Sequence, residues 1–164
     1  MSEELFIKMV LDAWNIRLAR MDKMLAELSD EQLQNEIAPG KNTGAYLLGH
    51  LAGINNRMLV LLEMGEELNP TLYETFVEKA EKDIIERPSV SELREEWKKI
   101  NAELANKFAL MQPRAWFEKH TAVSQEDFAK EPHRNKLNLV INRTNHLDYH
   151  LGQLILLKPG VRID

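Results

Sequence analysis

The chain contains 164 residues, of which 44% are hydrophobic and 29% charged, a composition that suits one globular domain spanning residues 1–164. A formal net charge of −5 with no basic stripe argues against a nucleic-acid partner, and no apolar run approaches the roughly 18 residues needed to cross a bilayer, so we expect no membrane partner. The absence of cysteine excludes disulfides and thiolate metal sites, and together with the acidic start Met1-Ser2-Glu3-Glu4 it predicts a cytoplasmic protein.

Two long amphipathic helices are predicted in the first part of the chain. The first covers about residues 3–28, because hydrophobic side chains recur at alternating steps of four and three, at Ile7, Leu11, Trp14, Leu18, Met21, Leu25 and Leu28. The second runs from about Thr43 to Met64 and is expected to end at Gly65, since glycine favours helix termini.

Two further long helices are predicted after an irregular segment. Residues 65–88 are interrupted by prolines and read as a crossover with a short helix near Tyr73–Asp83. The third long helix starts at the cap Ser89 and ends at Pro113, residues 113–133 form a long connection, and the fourth helix covers about Arg134–Leu157. The pattern predicts an all-α fold, a four-helix bundle with long crossover connections.

Two histidines in the fourth helix are candidates to bind a metal ion. His146 and His150 stand four residues apart, so their imidazoles project from one helix face about one turn apart. They fall on the stripe expected to face the core, because they continue the helical spacing of Leu139, Leu154 and Leu157. The pair is therefore expected to be buried.

A third histidine, His50, has the same phase in the second helix and is expected to face the same core. Neutral imidazole serves zinc, nickel, iron and copper, and three imidazoles leave coordination positions for water or substrate. The divalent ions that we consider for this site are zinc, nickel, iron and manganese. Leu147 stands where a His-Glu-x-x-His protease needs its glutamate, and no histidine has a glutamate three residues before it, as a di-iron carboxylate site would require.

Two amides are candidates to orient these histidines. Asn142 lies one turn before His146, and Gln153 lies three residues after His150. Ordinary interhelical hydrogen bonds would explain both amides equally well. His120 and His133 are expected on the surface of the 113–133 connection, and the sequence assigns no catalytic residue.

Two motifs together resemble the DinB-like (DinB/YfiT) superfamily of metal-dependent enzymes. Pro39-Gly40-Lys41 leads into a helix with Leu48-Gly49-His50-Leu51, and Asn145-His146-Leu147-Asp148-Tyr149-His150-Leu151-Gly152-Gln153-Leu154 is similar to the closing motif His-x-x-x-His-x-Gly-Gln. The resemblance covers nearly the whole chain. It implies a bundle, often homodimeric, in which His50, His146 and His150 bind one divalent ion.

The resemblance also implies a function, since relatives include transferases that join low-molecular-weight thiols to electrophiles. It favours a thiol-dependent S-transferase that acts on a small-molecule substrate and uses a divalent metal with a low-molecular-weight thiol as co-substrate. The alternatives are a metal- or small-ligand-binding helical protein without turnover, and a helical interaction protein whose histidines only fill the core.

Overall fold

The computed structural model describes residues 2–160, and every regular element in that range is helical, which confirms the predicted all-α class. Met1 and residues 161–164, which the predicted domain includes, lie outside the described residues. The seven α-helices are α1 (Glu3–Glu27), α2 (Asp30–Leu33), α3 (Gly44–Leu61), α4 (Thr71–Phe76), α5 (Val90–Leu110), α6 (Gln125–Lys130) and α7 (Lys136–Leu154).

The four long helices, α1, α3, α5 and α7, are those predicted from the hydrophobic spacing, with small differences at their ends. Helix α3 ends at Leu61, because Glu63 adopts a left-handed conformation (φ 59°) and the Met64 amide bonds back to Leu59; the end predicted at Met64 is therefore wrong by three residues. Helix α7 starts after Asn135, whose side chain accepts a hydrogen bond from the Asn138 amide, and its predicted last turn is a 3-10 helix, Ile155–Leu157.

The long helices pack around a shared hydrophobic core. Helix α1 packs on α7, α3 packs on both α5 and α7, and the rings of Trp14 and Phe108 meet edge to face between α1 and α5. The buried Trp97 also links α5 to α1, since its indole nitrogen donates to Asp22 at 2.7 Å. Within residues 2–160, none of the helices combines the length and the apolar character needed to cross a bilayer.

The crossover between α3 and α5 is held tightly against α3. It contains α4 and a 3-10 helix, Glu81–Asp83, instead of the single short helix predicted near residues 73–83. The Tyr46 hydroxyl donates to the Lys79 carbonyl at 2.8 Å, and the Glu81 carboxylate accepts from the Thr43 amide and hydroxyl at the start of α3. These bonds fix the position of α4, whose buried Phe76 ring covers Gly49.

The second connection, 113–133, contains a 3-10 helix, Pro113–Phe117, and α6. It is tied to the end of α3 by the Thr121 amide, which donates to the Leu61 carbonyl at 3.1 Å. An ion pair completes the attachment, because the buried Lys136 at the start of α7 lies 2.7 Å from the exposed Glu63. Both long connections are therefore bound to helix α3, which carries His50.

Gly49 provides the space in which Phe76 packs. A Cβ at this position would lie 2.6 Å from the Phe76 ring, which is fully buried and cannot move without displacing α4. We expect Gly49→Ala to lower the free energy of unfolding by about 1–2 kcal/mol, an overpacking penalty measured by urea denaturation.

Gly152→Ala is the matched control. Gly152 lies in an exposed part of α7 with nothing within 4 Å of the added carbon, so the same change should raise stability by about 0.5–1 kcal/mol through helix propensity. An equal gain for Gly49→Ala would contradict close packing between α3 and α4.

Candidate metal centre

Three histidines from two helices converge at one point, where His150 is buried as expected but His50 and His146 are only partly buried. His50 comes from α3, and His146 and His150 come from successive turns of α7, which packs on α3. The His146 Nε2 atom lies 2.9 Å from His150 Nε2 and 3.3 Å from His50 Nε2, and one ligand atom from each residue lies within 4.8 Å of the others. The structure thus brings together the three histidines selected by the helical spacing, and their role as metal ligands stays a prediction.

The outer nitrogens of two of the rings are held by hydrogen bonds. His50 Nδ1 donates to the backbone carbonyl of Phe76 at 3.0 Å, and His150 Nδ1 donates to Gln153 Oε1 at 2.6 Å. The Gln153 amide is itself positioned, since its Nε2 donates to the Tyr149 hydroxyl at 3.3 Å. With the proton on Nδ1, the Nε2 atoms of both rings present lone pairs towards the centre.

This donor set fits a divalent metal ion. Nitrogen ligands about 2.0–2.1 Å from zinc lie about 2.9 Å apart at a right angle and about 3.3 Å apart at the tetrahedral angle, close to the two observed separations. Two Nε2 lone pairs that face each other at such distances repel unless a cation or a proton lies between them. The three histidines could therefore hold a metal ion.

Burial keeps the histidines neutral, which is the form that binds metals. It is the main cause that lowers the pKa of His50, His146 and His150, and that of His146 falls to about 4. The neighbouring histidines lower the pKa of His146 further, whereas the bond to Gln153 partly offsets the effect at His150. No proton must leave these rings at neutral pH before a metal binds.

The two predicted orienting amides differ in their surroundings. Gln153 contacts His150, as its position three residues further along α7 suggested. Asn142 is exposed, and no hydrogen bond within residues 2–160 joins its side chain to a histidine.

Two neighbours of the site were missed by sequence reasoning. The Phe76 carbonyl reaches His50 from the crossover, and no local sequence pattern predicts a contact between residues 26 positions apart. Arg143 lies three residues before His146, and its positive charge lowers the pKa of His50 and His146. The helical spacing that selected His146 and His150 could also have selected Arg143.

A family model described as the DinB superfamily matches residues 13–154. The chain belongs to the DinB superfamily. The matched range contains most of α1 and all of α3, α5 and α7, so it includes all three histidines. A cluster of three histidines that could hold a metal agrees with the metal association often found in this superfamily. No curated protein matches the chain.

The depressed histidine pKa values predict how the stability of the metal-free DinB-like protein depends on pH. A histidine with a lowered folded-state pKa contributes stability that is complete above its unfolded pKa and is lost as the pH falls, because the unfolded state then binds more protons. For His146 this window runs from 6.5 down to about 4. Denaturation of chelator-treated protein should therefore show a falling free energy of unfolding across that range.

His146→Gln and His133→Gln separate this contribution from general acid denaturation. The first should flatten the pH dependence between 6.5 and about 4, whereas the second, which changes an exposed histidine, should leave it as in the unmodified protein. Identical slopes for all three proteins would show that the triad is protonated as easily in the folded state as in the unfolded state.

Proposed function

We propose that this DinB-superfamily protein is a divalent-metal-dependent enzyme, a thiol-dependent S-transferase that acts on small electrophiles. His50, His146 and His150 would bind the metal, which can be zinc, nickel, iron or manganese. The observation that carries the proposal is the convergence of three Nε2 atoms, of which two are oriented by bonds to their Nδ1 atoms. Three protein ligands leave coordination positions for a substrate.

The residues around the triad prepare the site for this chemistry. A bound divalent ion supplies Lewis acidity, which lowers the pKa of a thiol that reaches it. Phe76 and Gln153 hold His50 and His150 in their metal-binding tautomers, and the hydrophobic core behind the rings excludes water. Because the chain contains no cysteine, the reacting thiol has to come from a low-molecular-weight co-substrate.

A cavity beside His150 supports a small-molecule substrate. It has a volume of about 260 Å³ and is bounded by the loop Gly40-Lys41-Asn42 and by Tyr149 and Gln153. Its walls combine backbone, amide, ammonium and phenol groups with the apolar side chains of Ile37 and Leu47. Such a mixture is typical of a site that orients a small polar ligand.

Metal binding and its dependence on the triad form the first test. We expect tag-free protein to contain close to one equivalent of divalent metal by elemental mass spectrometry, and His50→Ala and His150→Ala to lose it while remaining folded. Gln153→Leu keeps all three ligands but removes the bond that orients His150, so its metal affinity should fall about 10- to 100-fold. His133→Ala, which changes an exposed histidine, should retain the metal.

Metal-loaded protein should then accelerate the addition of a thiol to a panel of small electrophiles. If the protein holds stoichiometric metal and binds ligands without turning them over, the alternative, a metal- or small-ligand-binding protein, is favoured. One observation motivates this alternative: within residues 2–160, no carboxylate contributes to the pKa shifts of the three histidines, as an adjacent general base would. Failure to bind any of the four metals would leave the histidines as core residues.

The homodimer expected from the family has a candidate surface on α1. Leu5, Met9 and Ile16 share one face of this helix at steps of four and seven, and each is about half exposed (49%, 55% and 49%). Exposed apolar side chains concentrated on one helix face commonly mark an association surface. We propose that α1 pairs with α1 of a second copy, in a protein that we predict to be cytoplasmic.

A charge placed on this face should prevent association. We expect light scattering to give a dimer mass for the unmodified protein and a lower mass for Met9→Glu, since pairing would bury the new carboxylate. Ile85→Glu is the control, because Ile85 is 98% exposed and lies in the crossover, away from α1. A monomer mass for the unmodified protein across working concentrations would exclude the dimer.

A further inference from the structure

Arg143 is a half-buried arginine without a partner. Its Nε atom is buried and makes no hydrogen bond, and no carboxylate within residues 2–160 forms an ion pair with its guanidinium group. The other partly buried arginines are paired, as shown by Arg57 with Glu67 and by Arg94 with Asp30. Arg143 therefore stands apart in a protein whose net charge is −5 and in which acidic partners are abundant.

An unpaired, partly buried guanidinium lowers the stability of the folded state. Removal of a charged group from water disfavours the folded state unless an opposite charge or hydrogen bonds replace the lost hydration. Burial accordingly lowers the pKa of Arg143. A group retained at this cost, with five N–H donors in a fixed plane, is suited to bind an anion from outside the chain.

The position of Arg143 connects it to the histidine triad. It precedes His146 by three residues and His150 by seven, so all three side chains project from the same face of α7. Its positive charge lowers the pKa of His50 in α3 and of His120 in the 113–133 connection. Arg143 thus lies on the face of α7 that carries two of the three histidines, and α7 packs on α3, which carries the third.

The surroundings of His120 favour an anion at the same place. His120 Nδ1 is also buried without a hydrogen-bond partner in the described part of the chain. Burial lowers the pKa of His120 most, and the positive charges of Arg134, Arg143 and Lys119 lower it further. Within residues 2–160, Arg143 Nε and His120 Nδ1 are thus two buried nitrogens without hydrogen-bond partners, and a negative charge would be favourable near both.

We propose that Arg143 binds the carboxylate of a small anionic substrate or co-substrate beside the His50–His146–His150 triad. The guanidinium fork matches the two oxygens of a carboxylate, and one unpaired guanidinium balances a single negative charge better than the double charge of a phosphate monoester. His120 Nδ1 is a second buried nitrogen that can hydrogen-bond to an anion. The role of this ligand as a substrate or co-substrate rests on the proposed function, whereas its binding to Arg143 does not.

The test follows the Arg143 side chain itself, in metal-free protein so that the probe cannot bind to a metal. The Nε–Hε NMR signal of Arg143, assigned by its loss in Arg143→Lys, should shift saturably as sodium acetate replaces sodium chloride at constant ionic strength. Acetamide, which has a similar shape but no charge, should leave the signal in place. Inorganic phosphate should bind more weakly than acetate; tighter phosphate binding would overturn the carboxylate assignment.

Variants provide a second measurement that does not depend on this signal. Acetate binding, followed by the backbone amide signals of α7, should weaken at least about tenfold in Arg143→Lys and disappear in Arg143→Gln, since lysine cannot form the bidentate contact. Arg114→Gln, which changes an exposed arginine of the Pro113–Phe117 helix, should bind acetate as the unmodified protein does. The melting temperature of acetate-free Arg143→Gln should not decrease, because the variant loses an unpaired buried charge.

The outcomes separate this proposal from the proposed function. An unmoved Arg143 signal, or equal acetate affinity in Arg143→Gln, overturns the carboxylate site even if the triad binds zinc and the protein transfers thiols. A saturable shift in a protein that binds no metal supports the carboxylate site and removes the metal-dependent enzyme. If acetate binds only after zinc loading and Arg143 does not respond, the metal alone explains the binding and the proposal fails.

Discussion

The contact between α3 and α7 is the constraint on which the site depends. His50 lies 96 residues from His146, and the two Nε2 atoms approach to 3.3 Å only because these helices pack against each other. The approach is supported from outside by α4, whose Phe76 ring fills the space over Gly49 and whose backbone carbonyl accepts from His50. A single residue of the crossover therefore contributes both to packing and to the orientation of a candidate metal ligand.

In this region of residues 2–160, the buried side-chain nitrogen atoms that lack an acceptor or donor within the protein lie at a few positions: the centre of the histidine triad and the side chains of Arg143 and His120. The Nδ1 atoms of His50 and His150 have acceptors inside the protein, which leaves their Nε2 lone pairs to converge with that of His146. Within the described residues, Arg143 Nε and His120 Nδ1 are buried without hydrogen-bond partners. Folding alone does not explain such an arrangement, because each unsatisfied buried group reduces stability and functional sites are where that cost is usually retained.

The long connections have a structural role that their irregular sequences did not reveal. Both attach to α3 through specific bonds, from Lys79 and Glu81 in the crossover and from Thr121 in the second connection. The crossover also supplies the Phe76 carbonyl that accepts from His50. The triad and the groups that orient it therefore come from three separate parts of the chain: α3, the crossover and α7.

The sequence alone determined the class of the fold and the identity of the three histidines. Helical periodicity is a local property, so the spacing of apolar residues located the four long helices, and the same spacing indicated that His50, His146 and His150 face inwards. Gln153 was found for the same reason, since it meets His150 within one turn of α7. Asn142 shows the limit of this reasoning, because a residue one turn away can still face solvent.

Only the tertiary structure decided which groups surround the triad. The Phe76 carbonyl reaches the site through a contact between segments far apart in sequence, and a backbone carbonyl has no signature in the identity of its residue. The end of α3 at Leu61 and the isolation of Arg143 likewise depend on neighbours from other elements. Local periodicity fixes which face of a helix a side chain occupies, whereas its partners are fixed by the packing of helices that the sequence does not place side by side.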